Sequence, residues 1–328
     1  MKTKCLNILL ITVFLILIIS GCDKNNTTTM SDYSNPINID KNMKIVATYG
    51  HGIDSKDSNI SNAFKLDGKD VTVNYFIQNG SINCSIGLFV FVNGYIQPYK
   101  INGIEKNMHY FELKKNALKQ FKISFNPVVG QKGDNNIIYF ASMLNPQILA
   151  TKSNQKSFGV NHSINQLRPF SFFYNSTYNP IKVNTQVKNK AISDQSIFLN
   201  KSIYSQDFKK DYFAELKVLG DKFEKNNSII ETNAGNKIIL ELNTFGISGN
   251  YHAVVYIDHK PIKVFSDSEY LEFNIKNNSI TSKTFEIDTN DLTGQHELYA
   301  IIIPNNIDLS MTNLLEIKRT NFLILNID

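Results

Sequence analysis

From about residue 45 to its end, the chain consists of short runs rich in Val, Ile, Phe, Tyr and Thr, separated by Asn, Gly, Asp and Ser. In several runs the apolar residues stand at every second position, as in the stretch from Ile82 through Cys84 to Val92. A period of two predicts strands with one buried face, and the 3.6-residue period of an amphipathic helix is nearly absent. The pattern therefore predicts an all-β protein in which Cys84 points into a core.

Several runs recur in the same order in the two halves of the chain, which indicates an internal repeat. The matched segments are 68–75 with 235–242, 90–94 with 255–259, 110–113 with 270–273, 121–123 with 285–287, 126–131 with 290–295, 138–139 with 298–299, and 168–173 with 319–324. Each copy supplies about seven strands with turn signals between them, which is the number that a β-sandwich requires.

One segment resembles a known corner motif. Residues 291–299 read Asp-Leu-Thr-Gly-Gln-His-Glu-Leu-Tyr. This is similar to the E–F corner of bacterial immunoglobulin-like domains, in which a leucine and a glycine make the turn and alternating apolar residues open the next strand. The resemblance implies two tandem immunoglobulin-like β-sandwich domains and carries no catalytic or binding residues with it. Unlike antibody domains, neither half has a cysteine pair, and the chain contains no Trp.

The first twenty-two residues follow a different pattern. Lys2 and Lys4 precede an apolar run from Leu6 to Ile19. That run has the length of a signal-peptide core and is shorter than the ~20 residues that a membrane-spanning helix needs. The sequence Ile-Ser-Gly-Cys, ending at Cys22, follows directly and resembles the bacterial lipobox. The resemblance implies that a diacylglycerol is attached to the Cys22 thiol and that the chain is cut just before it.

The residues after Cys22 favour a membrane-tethered protein. They are rich in Asn, Thr, Ser and Asp, a composition typical of a flexible tether. Several acyl chains on one cysteine, palmitate among them, anchor a protein stably, since a single chain binds only marginally. We therefore expect the body to lie on the extracytoplasmic face of the cell membrane. The abundance of Asn, Ile and Lys is typical of a low-GC Gram-positive source and favours a Gram-positive surface.

These patterns divide the chain into five segments. The predicted segments are a lipoprotein signal peptide at 1–21, the lipidated cysteine and disordered tether at 22–44, a first immunoglobulin-like sandwich at 45–175, a connector at 176–209, and a second sandwich at 210–328. Within the connector, 181–187 alternates well enough to form an edge or bridging strand.

Charge and cysteine content narrow the choice of partners. The formal net charge is +5, and it becomes +3 once Lys2 and Lys4 leave with the signal peptide. So mild and dispersed a charge predicts no nucleic-acid partner. Of the three cysteines, Cys5 leaves with the signal peptide and Cys22 takes the lipid, so Cys84 has no cysteine left to pair with.

The catalytic motifs searched for are absent or incomplete. The chain has no glycine-rich nucleotide loop and no compact set of His or Cys metal ligands, and residues 246–249 fall one short of the G-x-S-x-G nucleophile elbow. We therefore expect a non-catalytic protein that uses no cofactor. An all-β hydrolase is the alternative, because its two carboxylates can lie far apart in sequence. Glu112 and Glu272 occupy equivalent positions in the repeat, which favours a structural role for both.

Two loops have the oxygen-rich composition of calcium sites. The loop at 54–59 contains Asp54, Asp57 and Asn59, and a second group spans 288–291. Calcium takes six to eight oxygen ligands, and such loops can supply several of them. Asp and Asn also cap turns of their own backbone, and this structural explanation is the stronger one for both loops. We therefore predict no metal site and keep the first loop as a weak candidate.

Aromatic residues crowd one further segment. Phe170, Phe172, Tyr174 and Tyr178 lie within nine residues of one another. If their rings face solvent, they form a strip that can stack sugars or contact a partner. Alternation favours burial of about half of them in a core instead.

The sequence thus favours a membrane-anchored, surface-exposed lipoprotein that acts as a non-catalytic binding or scaffolding module of the cell envelope. Its partner is an unidentified envelope protein or wall polymer, contacted through loops at the sandwich ends. The alternative is an accessory lipoprotein subunit of a membrane transport, export or immunity complex.

Overall fold

The computed structural model describes residues 48–54, 63–65, 70–130, 133, 135–151, 153–154, 158, 161–167, 169–173, 181–191, 212–219, 228–276, 279–305 and 316–328. These residues form 24 strands and no helix. Within this part of the chain, no helix is long and apolar enough to cross a membrane.

The first sandwich consists of two sheets. Sheet I contains, in spatial order, β1 (Tyr49–Ile53), β3 (Val71–Asn79), β9 (Leu118–Phe125), β6 (Tyr99–Ile101) and β7 (Ile104–Lys106). Sheet II contains β2 (Ala63–Lys65), β12 (Phe170–Phe173), β10 (Asn135–Leu144), β4 (Cys84–Val92) and β5 (Tyr95–Ile96), with β11 (Ile164–Gln166) beside β10 and β8 (Met108–Leu113) beside β4.

The second sandwich repeats this arrangement. Sheet III contains β13 (Val183–Asn184), β20 (Tyr270–Ile275), β18 (Gly249–Ile257), β22 (Gly294–Asn305), β24 (Leu323–Ile327) and β16 (Ile229–Thr232), with β19 (Lys260–Pro261) beside β18 and β23 (Lys318–Arg319) beside β22. Sheet IV contains β14 (Lys188–Ala191), β21 (Ser279–Asp288), β17 (Lys237–Gly246) and β15 (Tyr212–Val218).

The topology confirms two tandem immunoglobulin-like β-sandwiches, and the repeated segments of the sequence coincide with equivalent strands. In each copy a short strand pairs in parallel with the last strand, β2 with β12 and β16 with β24, whereas the pairs β10–β12 and β22–β24 are antiparallel. Each copy also turns after its central strand on two residues with positive φ. These are Asn93 (49°) and Gly94 (83°) in the first, and Asp258 (47°) and His259 (65°) in the second.

The segment between the sandwiches contains more structure than a connector. β13 pairs in parallel with β20, and β14 pairs antiparallel with β21, so residues 183–191 belong to the second sandwich. Val187, between the two strands, packs against the second core. The alternation across 181–187 therefore marks strand edges of the second sandwich, and the described part of the junction between the sandwiches is Ile181 and Lys182.

Each sandwich has its own hydrophobic core, and Cys84 lies in the first. Its side chain is fully buried, as the alternation predicts, and burial raises the pKa of its thiol to about 12. A thiol with so high a pKa carries almost no thiolate, which is the reactive form. Cys84 therefore acts as a small core side chain.

A third core joins the two sandwiches, because sheets II and III are buried on both faces. All nine residues of β4 are buried: Leu88 and Val90 face the first core, whereas Phe89 and Phe91 face the second sandwich. We call the shared cluster the interdomain core. It consists of Phe89, Phe91, Ile96, Met108, Ile137, Tyr139, Ala141 and Met143 from the first sandwich, and of Val254, Tyr256, Tyr270, Tyr299, Ile301, Ile303 and Ile317 from the second.

The two faces of the interdomain core use equivalent positions of the repeat. Tyr139 lies opposite Phe91 in the first sandwich, and Tyr299 lies opposite Tyr256 at the same places in the second. Aromatic rings also contact each other across the junction. The rings of Phe89 and Tyr256 pack edge-on, with their centroids 6.2 Å apart. Burial of apolar surface contributes about 25 cal/mol per Å² to stability. The fifteen buried residues of the interdomain core therefore hold the two sandwiches together as one body.

Candidate functional site

At one end, the interdomain core gives way to a buried group of polar and charged residues. Glu297 on β22 and His162 in the loop before β11 are both fully buried, and Nδ1 of His162 lies 2.5 Å from Oε1 of Glu297. The other carboxylate oxygen accepts a hydrogen bond from the backbone amide of Ala150 at 3.2 Å. Both partners of Glu297 come from the first sandwich. We call Glu297, His162, His259, Arg319 and Asn145 the interdomain polar cluster.

Hydrogen bonding fixes the imidazole of His162 on both sides. Nε2 donates to the backbone carbonyl of Asn145 at 3.0 Å, and a carbonyl can only accept. The hydrogen bond to Glu297 occupies the other ring nitrogen, so neither nitrogen of the imidazole is left without a partner. Both buried groups are thus satisfied, which is the condition under which a buried pair of this kind is tolerated.

His259 links the cluster to the aromatic residues of the interdomain core. Its Nε2 donates to the backbone carbonyl of Pro146, in the first sandwich, and its Nδ1 accepts from the hydroxyl of Tyr299 at 2.8 Å. This pattern requires a neutral imidazole. Burial lowers the pKa of His259, and the neighbouring His162, at 4.9 Å between ring centroids, lowers it further.

Arg319 supplies a positive charge next to the Glu297–His162 pair. Its Nε donates to the backbone carbonyl of His162 at 3.0 Å, and its guanidinium lies over the ring of Phe322, 5.3 Å from the centroid. Burial lowers the pKa of Arg319, but a guanidinium keeps its proton in proteins. A permanent positive charge therefore lies close to the Glu297–His162 pair.

Backbone strain is concentrated around this cluster. Asn145, His162, Asp258 and His259 have φ values of 50°, 60°, 47° and 65°, in the left-handed region that side chains other than glycine rarely adopt. Strained residues persist where surrounding contacts fix them, and they often mark functional positions. Here the strain orients side chains across the junction at two of the four residues, because His162 hydrogen-bonds to Glu297 and His259 to Pro146 of the opposite sandwich.

The loop that carries His162 also reaches over the second sandwich. Ala150 and Phe158, before His162, are buried against Ile324 of β24. In the opposite direction, the backbone amide of Ile317, just before β23, donates to the side chain of Gln166 on β11 at 2.7 Å. Residues of the loop before β11 and of the segment before β23 thus each contact the opposite sandwich. These contacts fix the orientation of the two sandwiches relative to each other, which the sequence alone does not define.

A second buried group has the geometry of a nucleophile and its base. Ser142 Oγ on β10 lies 3.0 Å from Nε2 of His51 on β1, and Nδ1 of His51 lies 2.6 Å from the hydroxyl of Tyr75 on β3. Such distances are those of an activated serine. Ser142, however, is fully buried and also donates to the backbone carbonyl of Asn165 at 3.1 Å. Its hydroxyl is enclosed between the sheets, so the pair holds the sheets together instead of facing a substrate.

The second sandwich contains a small cleft. A cleft between sheets III and IV, lined by Leu242, Phe273 and Lys283 among others, has an empty volume of about 140 Å³. Small-molecule sites usually have volumes of about 300–1,000 Å³. The cleft is too small for such a ligand.

The predicted aromatic strip is not exposed to solvent where the structure describes it. Phe170 and Phe172 on β12 are buried in the first core, and the Phe140 and Phe170 rings pack edge-on with centroids 6.1 Å apart. Burial follows from their position on a strand between β2 and β10, so neither ring offers a face to a sugar. Tyr174 and Tyr178 lie outside the described residues.

The predicted calcium loops give no metal centre in the described part of the chain, where no group of three or more His, Cys, Asp or Glu residues could hold an ion. Asp54 follows β1 directly, whereas Asp57 and Asn59 lie outside the described residues. In the second loop, Asp288 accepts from the backbone amide of Asn290 at 2.9 Å, which is the self-capping turn expected of Asx residues. Cys22 also lies outside the described residues.

Comparison with known proteins gives fold relationships and no family. No family profile matches the chain, and no curated protein sequence is similar to it. Among solved structures, a Salmonella enterica SafA pilin in complex with the SafB chaperone is 11% identical over 87% of this chain and 98% of that one, with a TM-score of 0.24. The CsuC–CsuE chaperone–tip adhesion subunit complex of Acinetobacter baumannii is 9% identical over 81% and 95%, with a TM-score of 0.18.

Two further structures show how broad this likeness is. The C-terminal domain of the Streptococcus agalactiae AgI/II polypeptide BspA is 8% identical over 80% of this chain and 94% of that one, with a TM-score of 0.22. A red sea bream transglutaminase is 6% identical with a TM-score of 0.22, and the chain spans 31% of its length. At such identities the likeness concerns the fold alone, and scores this low carry no argument about function.

Proposed function

We propose that this chain is a membrane-anchored lipoprotein that acts as a non-catalytic binding or scaffolding module of the cell envelope. The observation that carries the proposal is the interdomain core. It fuses two sandwiches into one rigid body and buries the aromatic faces of sheets II and III. A protein built this way presents loops, sheet edges and two outer faces in a fixed arrangement, which is what a scaffold requires.

The buried polar groups support a non-catalytic role. The Glu297–His162 pair and the Ser142–His51 pair combine acid, base and nucleophile, but Glu297, His162 and Ser142 are fully buried and each donor has an internal acceptor. A serine probe such as a fluorophosphonate should therefore leave the folded chain unlabelled. Labelling that disappears in Ser142→Ala would favour the hydrolase alternative instead.

The lipid anchor can be tested by metabolic labelling. Cells that express the full chain are grown with an alkyne analogue of palmitate, and the protein is then conjugated to a fluorophore. The wild type and Cys84→Ser are expected to carry the label, because Cys84 is buried in the first core. Cys22→Ser is expected to lose it. Label retained in Cys22→Ser would contradict the anchor.

The partner can be sought with the lipid-free Cys22→Ser chain as bait against separate membrane and wall fractions. Retention on purified wall polymer supports a wall-binding module. Specific recovery of one membrane protein supports the accessory-subunit alternative. Two glycine variants provide a matched comparison. Gly94→Ala alters the interdomain junction, whereas Gly103→Ala changes an exposed turn and serves as the control. A partner that contacts both sandwiches should be lost with the first variant and kept with the second.

A further inference from the structure

Strand β1 is a short edge strand of the first sandwich. It has five residues, pairs with β3 alone among the described strands, and lies shortly after the segment proposed as the tether. Gly50 and Gly52 are two of its five residues, and glycine in a strand contributes no side-chain packing and costs conformational entropy on folding. Tyr49 and Ile53 pack half-buried against the first core, and His51 is the buried polar side chain of the strand.

His51 is held by neutral groups alone. Its imidazole lies between the Tyr75 hydroxyl on β3 and Ser142 Oγ on β10, and it stacks on the ring of Tyr49 at 6.2 Å. The titratable groups that face it or its neighbours are Tyr49, Tyr75 and Cys84. Burial raises the pKa of Tyr49 and of Cys84 to about 12, and it also raises the pKa of Tyr75. None of the described groups in contact with His51 carries a compensating negative charge at neutral pH.

The equivalent strand of the second sandwich shows the contrast. β15 has seven residues and no glycine, and Tyr212 and Leu216 anchor it in the second core. His51 lies opposite Ile77, and Ala214 lies opposite Thr244 at the same place in the repeat, so an alanine replaces the histidine there. The hydroxyl of Tyr212 donates to the backbone carbonyl of Glu316 at 2.6 Å. Both strands thus begin with a hydrogen-bonded tyrosine, Tyr49 and Tyr212, and β1 differs by its two glycines and by a buried imidazole where β15 has an alanine.

We propose that β1 is an acid-releasable strand: protonation of His51 detaches Tyr49–Ile53 from sheet I while the remainder of the first sandwich stays folded. Burial lowers the pKa of His51 to about 4, from an ordinary value near 6.5 in a released, solvated strand. The released state therefore binds more protons between these two values, and acid favours it. The opposing free energy is that of a short glycine-containing edge strand, which is small enough for one imidazole to overcome.

Release changes the reach of the anchor, and this consequence rests on the proposed function. With β1 bound, 26 residues (23–48) separate the lipid from the folded body; with β1 released, 40 residues (23–62) separate it from β2. The additional residues raise the maximum reach by about 50 Å at ~3.5 Å per residue. Acid at the cell surface would therefore let the body move further from the membrane.

Hydrogen–deuterium exchange tests the proposal on the full chain in detergent at pH 7.0 and 4.5, with rates corrected for intrinsic exchange. We expect the amides of 49–53 to lose protection roughly fifty-fold at pH 4.5, as the two pKa values of His51 require, while those of β3 and β15 keep theirs. Unchanged protection at β1 overturns the proposal. So does an equal loss across β1 and β3, because that result means unfolding of the whole sandwich.

Two controls identify His51 as the responsible group. His51→Gln should make the protection of β1 independent of pH, whereas His109→Gln, on β8 of the same sandwich, should leave the pH dependence intact. If His51→Gln does not fold, NMR titration of the wild-type His51 ring replaces it, and a midpoint that differs from that of strand release overturns the proposal. Exchange reads β1 directly, so failure of palmitate labelling overturns the proposed function without affecting this test.

Discussion

Glu297 and His162 belong to different sandwiches, yet their side chains lie 2.5 Å apart with no exposed surface on either. Removal of one member of such a pair leaves the other buried without its partner, at a cost of about 3–5 kcal/mol. We therefore expect Glu297→Ala to lower the free energy of unfolding by that amount in urea titrations. Glu286→Ala is the control, because it removes an exposed ion pair with Lys237 and should not change stability measurably. A small effect of Glu297→Ala would contradict the assignment.

Two tyrosines of the interdomain core allow a matched comparison. The hydroxyl of Tyr139 donates to the backbone carbonyl of Pro304 at 3.1 Å, whereas the equally buried hydroxyl of Tyr256 has no hydrogen-bond partner among the described residues. Tyr139→Phe should destabilise the protein by about 1 kcal/mol, and Tyr256→Phe should be neutral or stabilising. Thermal unfolding of both variants provides the measurement, and equal shifts in melting temperature would be inconsistent with this arrangement.

Gly94 marks the closest approach of the first sandwich to His252. A Cβ atom on Gly94 would lie 2.2 Å from Nδ1 of His252, whereas one on Gly103 would meet nothing within 4 Å. The two glycines have nearly the same φ, 83° and 80°, so alanine brings the same backbone strain at both positions. Overpacking adds about 1–3 kcal/mol, so Gly94→Ala should destabilise the protein by that much more than Gly103→Ala. Equal chemical denaturation midpoints would show that the junction adjusts freely.

His252 itself predicts a dependence on pH. Neither imidazole nitrogen has a hydrogen-bond partner in the described part of the chain, and burial against Tyr95 lowers the pKa of His252 to about 4. The unfolded chain, with an ordinary value near 6.5, binds the proton more readily, so stability falls as pH drops from about 6.5 to 4, by up to roughly 3 kcal/mol.

Replacement of this imidazole should therefore reduce the acid sensitivity. We expect His252→Leu to be more stable than the wild type at pH 5, with a smaller advantage at pH 7.5. Differential scanning calorimetry at the two pH values measures the change. His109→Gln provides the comparison, because His109 of β8 is also buried but its imidazole has a hydrogen-bond partner in the backbone carbonyl of Tyr99. The same advantage at both pH values would mean that His252 does not titrate in this range.

The alternating pattern and the internal repeat were enough to predict both sandwiches. Each repeated segment corresponds to a pair of equivalent strands, because strand period and turn residues are local properties of the sequence. The segment 176–209 was harder to interpret, since strands of two to four residues such as Val183–Asn184 form only by pairing with strands far along the chain.

The junction between the sandwiches could not be predicted in the same way. The continuous apolar stretch of β4 indicates burial on both faces, but sequence alone does not say what covers the second face. The sequence around Phe89 and Phe91 therefore did not indicate that Tyr256 packs against this face of the sheet. The polar cluster was less accessible still, because His162 and Glu297 lie 135 positions apart and each has an ordinary local context.

The near-equivalence of the two faces has a consequence for how this junction can change. In a symmetric dimer, every substitution appears twice, so a buried acid on one subunit is accompanied by a second acid on the other. Here both faces belong to one chain, and the position equivalent to Glu297 is Ile137, a member of the interdomain core. Covalent linkage thus permits a single buried acid at one end of a pseudo-two-fold junction and hydrophobic packing at the other. It also makes the two halves non-interchangeable, since a sandwich paired with its own copy would lack either Glu297 or His162.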